Sequence, residues 1–186
     1  MSLWNNFWGH LGTILHHKKL VRRLCFKAGL YKQGIMHDWS KYHPVEFFAG
    51  VKYYQDGKRS PNFAEKKDHG YSSAWLHHKG RNKHHYEYWI DYPENPREGL
   101  SGMPMPTRYV LEMFCDRVAA SKNYNRDTYT DAFPLKYYND HSDFYVIHPE
   151  SRELLEKLLD MLASQGEEKT FEYIRKEIDW KHSRKW

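Results

Sequence analysis

Ile14-Leu15-His16-His17-Lys18-Lys19-Leu20-Val21-Arg22-Arg23-Leu24-Cys25-Phe26-Lys27-Ala28 is the stretch that sets the fold class. Ile14, His17, Val21, Leu24 and Ala28 recur at steps of three and four, the spacing of one face of an α-helix. The surrounding segment 7–28 therefore reads as an amphipathic helix that stops at Gly29. His17 shares the apolar face, whereas His16 falls with Leu20, Arg23 and Lys27 on a more polar side. A lone histidine on an apolar face is usually a core residue with a satisfied ring, so His17 gains meaning only from what stands further along.

The rest of the chain continues in helices. Pro44 suits the first turn of a helix running to about Tyr54. Segment 71–90 resumes helical spacing with Ser72 or Ser73 as its cap, and Thr107 reads as the cap of a helix to about Asn123. His148-Pro149-Glu150 opens an amphipathic helix carrying Leu154, Leu155, Leu158, Leu159 and Leu162, closed by Gly166. A last helix turns Phe171, Ile174 and Ile178 inward. The polar run 55–70, with Gly57, Pro61 and Gly70, reads as a long loop, a lid or an insertion. Segment 91–106 holds Pro93, Pro96, Gly99, Gly102, Pro104 and Pro106 and reads as a second loop; 124–148 reads as irregular and aromatic. No alternating strand pattern or internal repeat emerges. The expectation is an all-α, single-domain helical bundle over 1–186 with long polar loops, scaffold helices occupying 149–186.

Composition agrees and narrows the function classes. A chain of 186 residues is long enough to bury a core without disulfides, and 40% apolar with 28% charged residues is ordinary globular usage. Cys25 and Cys115 each sit in apolar helical surroundings and read as buried, reduced thiols. The N-terminus has no basic stretch followed by an apolar core, and no run of about 18 apolar residues exists to span a membrane. A cytoplasmic protein with no membrane partner is expected. The formal charge of +5 mildly favours anionic partners, but the scattered Lys and Arg residues do not single out nucleic acid. Oligomeric state is not readable.

The histidines carry the functional signal. His16-His17, His77-His78 and His84-His85 are adjacent pairs, and His37 stands beside Asp38. Imidazoles gathered together repel when protonated and need partners when buried, so a shared ligand is the economical reading. His37-Asp38 offers nitrogen and oxygen donors side by side, which suits divalent transition metals such as Mn, Fe, Co, Ni or Zn. Asp116 follows Glu112 by four residues, so both project from one helix face. Within 71–90 taken as a helix, His78, Asn82 and His85 share a face, and His77, Arg81, His84 and Tyr88 share its neighbour. A solvated basic helix is the plain alternative there; imidazoles recurring at helical spacing favour metal. Glu87 and Glu112 remain open as ligands, as orienting acids or as surface acids.

These residues resemble the HD-domain metal-dependent phosphohydrolases over roughly residues 10–120. That family's order is an isolated His, an HD pair and a late Asp from different helices of one bundle; His17, His37, Asp38 and Asp116 match it. His37-Asp38-Trp39-Ser40-Lys41 is similar to the HD-x-x-K run of the HD-GYP branch, in which the Lys approaches a phosphate. The resemblance implies that His78, His84 and His85 complete a site for one or two ions. No GYP triplet is present, and the additional histidines are compressed into a few residues. A closer similarity is to an uncharacterised domain-of-unknown-function family with the same His-Asp-x-Ser-Lys and Arg-Asn-x-His-His runs.

The expected activity is hydrolysis of a nucleotide or other small phosphate ester through a metal-activated water, with Asp38, Lys41 and Arg81 managing charge and Lys79 a further candidate. Two other readings stand beside it: a di-iron oxygenase on the same helical scaffold, and a non-catalytic metal- or nucleic-acid-binding protein. No Gly-x-Ser-x-Gly elbow, catalytic Cys context or phosphate-binding glycine loop competes.

Overall fold

The computed structural model describes residues 2–181. Eight α-helices are present among them: α1 (Leu3–Lys27), α2 (Tyr31–Met36), α3 (Pro44–Lys52), α4 (Pro61–His69), α5 (Ser73–Lys79), α6 (Thr107–Asn125), α7 (Phe133–Asn139) and α8 (Pro149–Glu177). Two-residue strands β1 (Ile90–Asp91) and β2 (Ser101–Gly102) pair antiparallel, Ile90 opposite Gly102 and Asp91 opposite Ser101. The fold is all-α and forms a single domain. None of the described helices is long and apolar enough to cross a membrane.

The core forms where three apolar faces meet. α1 buries Val21, Leu24 and Cys25; these pack with Leu111, Phe114, Cys115 and Val118 of α6 and with Leu155, Leu158, Leu159 and Leu162 of α8. Both cysteines lie in this core as free thiols. Burial of each large aliphatic side chain contributes roughly 1.5–3 kcal/mol. The other end of α1 makes a smaller cluster, with Ile14 against Phe47 and Val51 of α3.

Helix boundaries follow local chemistry. Ser2 caps α1 by accepting the Asn5 N–H at 3.3 Å. At its far end Gly29 turns to φ 82°, Leu30 N–H donates to the Cys25 carbonyl at 2.8 Å, and Gly29 N–H donates to Phe26 at 3.1 Å. This Schellman reversal drops Leu30 into the core and folds α2 back on α1. Gly166, at φ 82°, breaks α8 into two helical stretches, as its position after Leu162 predicts. The break sets the Glu167 carboxylate between Lys27 of α1 and Lys122 of α6, and it pairs with both. Phe171 and Ile174 face inward beyond it. Residues 182–186 of the expected scaffold lie outside the described residues.

Several expectations change. The loop expected at 55–70 contains α4, capped by Ser60, started by Pro61 and ended by Gly70 at φ 79°. The helix expected over 71–90 ends at Lys79; Gly80 caps it, and the chain turns through residues 80–85 into a 3-10 turn at Tyr86–Trp89. The irregular 124–148 includes α7, and the loop 91–106 contributes to the small ladder. Thr107 is the first helical residue of α6, not its cap, which is Pro106.

Candidate metal centre

Four separate stretches of chain bring donors to one place. α1 turns His17 inward. α2 ends at Met36, after which His37 is extended and Asp38 takes a left-handed conformation, φ 52° and ψ 33°. Asp tolerates that region better than most residues, and strain of this kind gathers at functional sites. α5 supplies His78, and the turn after Gly80 delivers His84 and His85. α6 supplies Glu112 and Asp116 one helical turn apart.

Asp38 is the hub, and only 1% of it is exposed. Its Oδ2 lies 3.3 Å from His37 Nε2 and 3.9 Å from His17 Nε2; its Oδ1 lies 3.3 Å from His78 Nε2 and 3.4 Å from His84 Nε2. Asp116 Oδ1 stands 2.9 Å from His17 Nε2 and 3.5 Å from His37 Nε2. Two donor groups form around Asp38, His17–His37–Asp38–Asp116 and Asp38–His78–His84–His85, beside a third, His37–His84–Glu112; the donor atoms of each lie within 4.8 Å of one another. The two groups share Asp38.

His37, His78 and His84 point Nε2 toward Asp38, and carboxylates hold their other nitrogens. Glu112 Oε1 lies 3.0 Å from His37 Nδ1 and 3.2 Å from His84 Nδ1. Glu46 of α3 does the same on the opposite side, with Oε2 2.7 Å from His78 Nδ1 and Oε1 2.6 Å from His77 Nδ1. A carboxylate on the outer nitrogen fixes tautomer and ring direction and raises the basicity of the inner one.

His37 Nε2, Asp38 Oδ1, His84 Nε2 and His85 Nε2 are buried with no hydrogen-bond partner. Orphaned buried polar atoms are costly and rare. Four of them aimed into one space, in a set of nitrogen and carboxylate donors, fit a divalent transition metal.

The local charges divide the set: burial opposes protonation of His37 and His78, but the Asp38 carboxylate beside them prevails and raises both, His37 well above the usual imidazole range. Burial pushes the Asp38 carboxyl up, but His37, Lys41 and His78 outweigh it and hold it well below the usual carboxylate range. Asp116 is likewise held well below by His17 and His37 against its burial. Burial and Lys41 depress His17, and burial with His84 and His78 depresses His85 further, so both rings favour the neutral, ligating form. Burial and His37 oppose protonation of His84, but the neighbouring Asp38 and Glu112 carboxylates prevail and raise it to about 9.

A cavity of about 210 Å³ opens from the donors, its walls including Lys41, Tyr54, Arg59, Trp75, Asn123 and Tyr124. Lys41 Nζ sits 2.6 Å from Asp38 Oδ2 with about a third of its side chain exposed. A wider groove of about 650 Å³ runs along the outer face of α8 and contains none of the donors.

All seven residues expected to ligate metal are brought together, and Lys41 joins them. Arg81 is not brought in: it is exposed, donates to the His77 carbonyl at 3.3 Å and lies outside the cavity wall. Glu87 belongs to neither donor group, and Glu112 turns to the outer nitrogens of two histidines. Two residues were not singled out from sequence. Glu46 had a readable signal, a lone acid in the apolar run Pro44-Val45-Glu46-Phe47-Phe48. His10 shares the inner face of α1 with His17 and lines the same cavity; burial, then Lys41, lower its pKa to about 4.

A family model matches residues 6–161. The chain belongs to the family of unknown function DUF5662. The DUF5662 match spans every donor from His17 to Asp116, together with both orienting glutamates. Comparison with curated proteins and with solved structures gives no match.

Proposed function

We propose that the protein is a metal-dependent phosphohydrolase acting on a small phosphate ester, nucleotides included. The observation that carries the reading is the Asp38 carboxylate, buried between two donor groups with one oxygen toward each and Lys41 in contact. His17, His37, Asp38 and Asp116 would hold one divalent ion, and Asp38, His78, His84 and His85 a second. Ions bound there would lower the pKa of water toward 7 and neutralise phosphoryl charge.

The chain's own residues do the rest. Glu112 and Glu46 fix the directions of His37, His84 and His78 and so preorganise the site before substrate arrives. Lys41 offers a cation at the cavity wall beside Asp38, placed to offset phosphate charge. Arg59, on the same wall, takes the part expected of Arg81. Tyr54, Trp75 and Tyr124 narrow the approach and limit water around the reacting group. A structural metal site needs only four ligands, and this arrangement supplies seven besides a lysine.

The test is metal analysis of purified protein followed by a phosphoester panel with Mn, Fe, Co, Ni and Zn. Stoichiometric metal, with hydrolysis lost together with metal in Asp38→Ala and His37→Ala, is the expected result. Protein that takes up no divalent ion overturns the reading. An oxygen-dependent optical change on adding Fe(II), without hydrolysis of any phosphoester, replaces it with oxidative chemistry.

A further inference from the structure

The outer face of α1 is built as carefully as the inner one. Trp4, Trp8, Leu15, Lys19, Arg22 and Phe26 recur at helical spacing, and all are exposed. Trp4 is 65% exposed, Trp8 53% and Leu15 52%, unusual for side chains of this size on a folded surface. At 25 residues the helix makes this stripe on the order of 35 Å long.

The stripe continues onto neighbouring elements. The Phe26 ring meets the Tyr31 ring of α2 edge-on at 5.2 Å, and α2 adds exposed Ile35 and Met36. On the other flank Lys18 lies over the rings of Trp39 and Tyr42 at 5.2 and 5.1 Å, and Trp39 is 63% exposed. Trp39 and Tyr42 bracket Lys41 in one 3-10 turn, so this face borders the metal centre.

Charge separates this face from the rest of the protein. Residues 1–37 contain six cations (Lys18, Lys19, Arg22, Arg23, Lys27 and Lys32) and no Asp or Glu. Since the whole chain carries +5, residues 38–186 sum to −1. Of the six, Lys27 alone has an ion-pair partner among the described residues, Glu167 of α8.

We propose that the outer face of α1, with α2 and Trp39, docks on an anionic lipid surface, lying flat in the headgroup region. Amphipathic tryptophan and tyrosine rings settle at that depth, apolar side chains enter the acyl boundary, and Lys and Arg meet lipid phosphates. No spanning run is needed for such contact, so the lack of one among the described helices does not oppose it. Nucleic acid would use the cations and rings but would leave Leu15, Ile35 and Met36 without a role. A second copy of this face would bring its own unbalanced cations against these, which is unfavourable.

The test is co-sedimentation of the full chain with vesicles of phosphatidylcholine alone and of phosphatidylcholine with about a third phosphatidylglycerol. Binding to the anionic vesicles, at least tenfold weaker to the neutral ones, is expected. The double variant Lys19→Glu, Arg22→Glu lowers it at least tenfold, and Trp8→Ser with Ile35→Ser lowers it by a similar factor. These positions are exposed, and an unchanged thermal midpoint verifies that each variant is folded. No sedimentation with anionic vesicles, or binding that survives both double variants, overturns the proposal. So does salt-sensitive binding to a short RNA or DNA without vesicle binding, or a dimer abolished by the same variants in the absence of lipid.

Discussion

His37 and Glu112 stand 75 residues apart in the chain, yet Nδ1 of one lies 3.0 Å from Oε1 of the other. The same oxygen lies 3.2 Å from His84 Nδ1, so a single carboxylate orients one histidine from each donor group. Glu112→Gln keeps the shape but weakens the acceptor and permits the wrong tautomer. Metal affinity is expected to fall roughly 10–100-fold. Competition against a chelator measures it, and far-UV circular dichroism should be unchanged.

Asp38 and Asp116 make different demands on stoichiometry. Asp38 belongs to both donor groups and Asp116 to one. Asp38→Ala is therefore expected to abolish binding of both ions, whereas Asp116→Asn leaves an ion at the His78–His84–His85 side. Metal content per chain, read by elemental analysis, distinguishes two equivalents, one and none. Equal loss in both variants would show that the two groups do not act as separate sites.

Much of this centre was legible in the chain, and the residues that were misplaced share a cause. The apolar period of 14–28 places His17 correctly, and His37-Asp38 is recognisable from donor chemistry alone. His78 and His85 do meet, but through a turn after Gly80 and not along one helix face; a period counts side chains and is blind to where the backbone reverses. The same turn brings in His84, which the helical reading set on the neighbouring face, and leaves Arg81 outside. α4 escaped notice because only Glu65 of its nine residues is buried, so it has no apolar period, although Ser60-Pro61 and Gly70 mark its ends. Partners such as Glu112 to His37 are tertiary, and no local pattern encodes them.

Gly50 offers a packing test at the cavity wall. A Cβ there would lie 2.1 Å from His10 Nε2, so Gly50→Ala must displace the imidazole. A loss of about 1–3 kcal/mol is expected from denaturant unfolding. His10→Ala removes the clash, so the double variant should be more stable than the sum of the single changes.

Glu167 gives the pH test, away from the metal donors. Burial pushes its carboxyl up, but hydrogen bonds from Lys122 and Lys27 outweigh this and hold it below the usual range. A depressed folded-state pKa contributes stability above the unfolded value, about 4.3 for Glu, and that contribution is lost as pH falls through the folded value. Both lysines are partly exposed, so screening reduces the effect. Glu167→Gln is expected to destabilise by on the order of 1 kcal/mol at pH 7. The gap from the wild type should close below about pH 4, as followed by thermal melts across that range.

The short lengths of α2 and α5, six and seven residues, have a consequence for how firmly the centre is held. Isolated helices of that size do not persist in water. A pair of ions sharing Asp38, one held by His37 and the other by His78 and His84, would act as a clasp, closing two long loops onto a slab that α1, α6 and α8 already hold rigid. Stripping it should therefore loosen the molecule on one side only. Amide hydrogens in 31–43 and 73–86 are expected to exchange with solvent deuterium faster after chelation, while those of α6 and the first stretch of α8 keep their pace.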